Sequence, residues 1–121
     1  MKNIIAALET LRAPIQQGEY DLHRLVMDAL DVHGISYEHE AKLAPRCRID
    51  LLCGSAGGIG IEIKRGKLDR ARLIAQLTRY AQCEQLTGLI LVAEKSISLP
   101  RTVAGKPLHI ICLNRLWGIA L

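Results

Sequence analysis

The spacing of apolar and polar positions changes several times along the chain, and each change marks an element. Ile4, Ile5, Leu8 and Leu11 recur at helical spacing and predict a short amphipathic helix over residues 3–12, which Pro14 ends. QQGE follows as a turn. Leu22, Leu25, Val26, Ala29 and Leu30 form the stripe of a second helix, from about Tyr20 to His33, with Gly34 placed as its C-cap. From Ile35 to Ala41 the sequence ISYEHEA alternates, predicting a strand with one wet face. LAPR turns at Pro45. Two apolar runs, RIDLLC and IGIEIK, are then joined by the Gly-rich GSAGG and predict a β-hairpin from Arg48 to Lys64. Leu68, Ala71, Ile74, Ala75, Leu77, Thr78 and Ala81 give the buried side of a helix from about Leu68 to Glu84. LILVA (Leu89–Ala93) is an unbroken apolar run, as for a strand covered on both faces. KSISLPRTVAGKP reads as a loop with room for one helical turn, LHIICL (Leu108–Leu113) as a last strand, and NRLWGIAL as a tail apolar enough to pack.

This order predicts an α/β fold with a mixed central β-sheet flanked by helices, in which the strand–helix–strand segment makes a right-handed parallel crossover. The 121 residues suit one domain, 1–121, with residues 1–14 as an accessory helix. Half of the residues are apolar and none is Phe, so Val, Ile, Leu and Ala must fill the core. No apolar run reaches bilayer length and MKNIIAALETLR is charged, so a cytoplasmic protein that avoids membranes is expected. The four cysteines form no CxxC pair, which points to reduced thiols rather than a zinc site.

Charge adds to the picture because it is uneven. Residues 42–79 hold nine Lys/Arg and three Asp/Glu, a net +6 within a chain of net +4. A positive field thus surrounds the hairpin and suits a polyanionic partner. The bland alternative is a solvated basic face. If the hairpin closes symmetrically about Ala56, Asp50 faces Glu62 and Arg48 faces Lys64. Opposed carboxylates lie about 4.5–5.5 Å apart and repel one another unless a cation sits between them, and Asp/Glu oxygens are what Mg²⁺ prefers.

Asp50, eleven residues, Glu62, one residue, Lys64 resembles the core of the PD-(D/E)XK nuclease superfamily, in its Holliday junction resolvase-like and VRR-NUC-like branch. Ile49 stands where the Pro of that signature would be. The resemblance spans roughly Glu19 to Leu113 once element order is counted, and implies a restriction-endonuclease-like core. It implies Asp50 and Glu62 as ligands of Mg²⁺, with Mn²⁺ as a substitute, joined by the backbone of Ile63. Lys64 would orient the nucleophile. An acidic residue at the start of the second helix would reach the metal; Glu19 takes that role here, with Asp21 and Glu40 as rivals. QLTRYA (Gln76–Ala81) resembles the helix that follows the E-x-K strand, where a Gln borders the active site; Gln76 and, more weakly, Tyr80 carry that role. A surface Gln and a core Tyr explain the same pair without function.

The expected activity is metal-dependent hydrolysis of DNA phosphodiester bonds, selective for structure, with Arg48, Arg65, Lys67, Arg72 and Arg79 holding backbone phosphates. The alternative from another class is a non-catalytic nucleic-acid-binding module of the same fold. A third is a small interaction subunit using the N-terminal helix and the Trp117 tail. Two-strand cutting by so small a domain calls for a homodimer.

Overall fold

The computed structural model describes residues 1–13, 21–54 and 58–118. Pro14, Glu19 and the tip of the GSAGG loop lie outside the described residues. The elements are α1 (Lys2–Leu8), α2 (Leu22–Val32), β1 (Tyr37–Ala44), β2 (Cys47–Cys53), β3 (Gly58–Lys64), α3 (Arg70–Ala81), β4 (Leu86–Ala93), β5 (Thr102–Val103), β6 (Lys106–Cys112) and α4 (Leu113–Leu116). They build a six-stranded sheet in the order β1-β2-β3-β4-β6-β5. β1, β2 and β3 pair antiparallel, while β3–β4 and β4–β6 pair parallel. The fold is therefore α/β with a mixed sheet flanked by helices. No helix of the described residues is long and apolar enough to cross a membrane.

Local chemistry sets the helix ends. Asp21 caps α2 by accepting the Arg24 N–H, and Asp69 caps α3 by accepting the Arg72 N–H. Gly34, at φ 68°, takes the left-handed step that follows α2. α1 stops at Leu8, short of the expected residue 12.

The core lies on both faces of the sheet. Ile61, Ile63, Ile90 and Val92 pack under α1 and α2, while Leu89, Leu91 and Ala93 pack under α3. The loop after β4 contains no helical turn; it folds against the α3 side through Ile97 and Leu99, and Val103↔Lys106 closes a short β5–β6 hairpin. The tail forms α4, and Trp117 packs beside α1 with its Nε1 donating to the Leu11 carbonyl at 3.1 Å.

β2 changes faces part-way along. Ile49 packs with the α3 cluster, yet Leu51 packs with the α2 cluster. On β1, Tyr37 packs on the α2 side and Ala41 on the α3 side. The two switches are partnered, since His39↔Leu51 and Ala41↔Ile49 are ladder pairs that bracket Glu40 and Asp50. Glu40 makes the turn with φ 55°. Ile49 then crosses Gly60, whose added Cβ would collide with Ile49 Cδ1 and lie 3.1 Å from Leu89 Cδ2. Gly60→Ala is thus expected to cost about 1–3 kcal/mol by overpacking, read as a lower denaturant midpoint. An unchanged midpoint would contradict this crossing.

Candidate active site

The hairpin register is the symmetric one: Leu51↔Ile61, Leu52↔Gly60 and Cys53↔Ile59. The ladder ends at Leu51↔Ile61, so the expected Arg48–Lys64 pair does not form. Where backbone pairing stops, the Asp50 side chain substitutes for it: the Ile63 N–H donates to Asp50 Oδ2 at 2.8 Å. The Asp50 N–H in turn reaches Glu62 Oε1 at 3.4 Å. The two carboxylates therefore meet where β2 parts from β3, at the face switch. Lys64 Nζ completes the group, 3.2 Å from Glu62 Oε2.

Burial decides the electrostatics. The Glu62 side chain is 4 % exposed and that of Lys64 30 %. Burial, and next the nearby Asp50 charge, push the Glu62 pKa up to about 7, against the opposing pull of Lys64. A buried carboxylate in this state is under-neutralised, and one ammonium does not relieve it fully. Tyr80 lies across the α3 side. Its hydroxyl donates to the Arg48 carbonyl at 3.0 Å and accepts from Gln76 Nε2 at 2.9 Å. Burial first, then the Glu62 and Asp50 charges, raise its pKa. Gln76 and Tyr80 thus brace the site from α3.

From Lys64 an open cleft of ≈ 400 Å³ runs along α3, lined by Arg65, Lys67, Arg72, Gln76 and Arg79 among others. Its one carboxylate, Asp69, is engaged as the α3 cap. Arg65 also reaches Glu94, which lies 3.2 Å from Arg65 Nε and accepts the Gly66 N–H at 2.8 Å. Glu94 is a residue that sequence reading passed over; it pins the loop after Lys64. Arg48 stands apart from the cleft, exposed and 4.0 Å from Glu40.

The expected third acid resolves differently. Glu19 lies outside the described residues. Asp21 is occupied as a helix cap, and Glu40 faces Arg48. The side chain that α2 brings to Asp50 is His23, with Nε2 4.0 Å from Oδ2. Among the described residues no group of three or more His, Cys, Asp and Glu is arranged to hold a metal ion. The carboxylate pair fits an ion that keeps several waters, as Mg²⁺ does when one or two carboxylates bind it. The buried, under-neutralised Glu62 supplies the physical reason to hold one. No family model, curated protein or solved structure matches the chain.

Proposed function

We propose that the chain is a metal-dependent DNA nuclease with a restriction-endonuclease-like core. The observation that carries the reading is a buried Glu62 held against Asp50 and Lys64 at the mouth of a basic cleft. Asp50 and Glu62 would hold Mg²⁺ or Mn²⁺ on their oxygens, with the Ile63 backbone and Glu19 as further candidates. When bound, such an ion lowers the pKa of water and offsets charge on the phosphate. Lys64, tethered to Glu62, would orient the attacking water and help take up its proton. Gln76 would hold the Tyr80 brace and border the substrate. Lys67, Arg72 and Arg79, together with Arg65, would hold the phosphates of one strand along α3.

Cations aimed at phosphates fix position without reading sequence, and aromatic stacking groups are few: three Tyr, one Trp and no Phe. Recognition of a branch, flap or end follows as the substrate preference. Replacing Arg72 and Arg79 together by Ala should flatten the slope of log affinity against log salt by about 2. An unchanged slope would remove the cleft from the DNA path. One domain carries one site, so two-strand cutting needs a homodimer. Light scattering that gives only the monomer mass at active concentrations would count against that assembly.

The test of the whole reading is nicking of supercoiled plasmid by purified protein with Mg²⁺, with Mn²⁺ and with EDTA. Metal-dependent nicking is expected. DNA binding without nicking under any metal would leave the non-catalytic binding module in its place.

A further inference from the structure

His23 and His39 face each other across the junction of α2 and β1. His39 Nε2 lies 3.4 Å from His23 Nδ1, with ring centroids 5.6 Å apart and planes tilted by 60°. That separation is long for a hydrogen bond between nitrogens. It is the separation of two imidazole nitrogens on one tetrahedral ion, about 3.4 Å for bonds of about 2.0–2.1 Å. We propose that His23 Nδ1 and His39 Nε2 form a binding site for a late first-row divalent ion such as Zn²⁺ or Ni²⁺, separate from the Asp50–Glu62 pair. Two imidazoles select such ions over Mg²⁺ and Ca²⁺, which take oxygen ligands.

The opposite side of His23 supports this. Its Nε2 is 4.0 Å from Asp50 Oδ2. A ligating histidine commonly directs its other N–H toward a carboxylate, which fixes the tautomer and orients the ring. Asp50 stands where that partner is needed. No third His, Cys, Asp or Glu among the described residues completes the set. Water would fill the remaining positions, giving an accessible, exchangeable ion rather than a structural one. The His23 side chain is 34 % exposed and His39 is exposed, so an ion can enter from solvent.

The proposal does not rest on the nuclease reading. The test is calorimetric titration of the full, untagged, reduced chain with Ni²⁺, which favours imidazole, alongside histidine-ring ¹⁵N spectra with Zn²⁺. In excess Mg²⁺, which covers the carboxylate pair, one Ni²⁺ per chain is expected, with affinity at least tenfold weaker in His23→Ala and in His39→Ala. Zn²⁺ should move the ring signals of His23 and His39 and leave those of His33 and His109 in place. His33→Ala should bind as the unaltered chain does. Binding by His39→Ala at full affinity would overturn the proposal, as would no Ni²⁺ binding at all. Equal loss in Glu62→Gln would also overturn it, because the ion would then sit at the carboxylate pair.

Discussion

Substituting Glu62→Gln, Lys64→Ala or Asp50→Asn is expected to lower Mg²⁺-dependent DNA cleavage by about 10³-fold or more while DNA binding persists. Each change removes a different part of one cluster. Glu62→Gln removes a buried negative charge beside Asp50. Lys64→Ala removes the ammonium 3.2 Å from Glu62 Oε2. Asp50→Asn keeps an oxygen for the Ile63 N–H and so preserves the join between β2 and β3 while removing the charge. Asp50→Ala would confuse the two effects, since the buried amide would lose its acceptor at a cost of about 1–3 kcal/mol. Ca²⁺ should sustain binding with little cleavage, because it is larger and less demanding in geometry. Supercoiled plasmid and a fluorescent junction substrate give the two readouts. Cleavage by Lys64→Ala at the unaltered rate would remove Lys64 from the chemistry.

The hairpin was legible because two independent signals agreed. The alternation of RIDLLC and IGIEIK and the length of GSAGG allow one symmetric register, and Leu51↔Ile61 follows it. The helices were legible from their stripes, and the caps Asp21 and Asp69 trimmed both to shorter lengths than the stripes suggest. The face switch on β2 was hidden. It falls at Asp50, and Ile49, Leu51 and Cys53 keep an unbroken apolar alternation across it. Its partner on β1 has no trace, because Glu40 takes a left-handed φ without being Gly, Asn or Asp. The β5–β6 hairpin turns through Ala104 and Gly105, at φ 49° and 78°. A Gly at the second turn position hinted at it, but Ala is a poor first residue for such a turn. His23 could not be placed from sequence. Its helical spacing puts it beside the apolar stripe, and only the packing of α2 over the β2 switch carries it to Asp50.

The second large effect concerns stability in metal-free protein. Glu62 has a pKa raised to about 7 by burial and by Asp50, against an ordinary 4.5. A carboxyl group raised in the folded state binds its proton more tightly there than in the unfolded chain. Its contribution therefore declines as pH rises from about 4.5 through about 7, and stays low above that. The difference corresponds to about 3 kcal/mol as an upper bound at alkaline pH. Gln at this position is never charged, and Lys64, left without its partner, keeps access to water. In EDTA, Glu62→Gln should melt higher than the unaltered chain by several degrees at pH 8, up to about 10 °C. That gap should close as the pH approaches 5. Mg²⁺ should close it from the other side, raising the melting temperature of the unaltered chain by binding the folded state while leaving Glu62→Gln nearly unmoved. The two levers separate the causes: pH acts on the proton and Mg²⁺ on the charge that the proton would otherwise cover. A Glu62→Gln chain that melts lower at pH 8 in EDTA would mean that the Lys64 pair outweighs the burial of the carboxylate, and Glu62 would then need no cation.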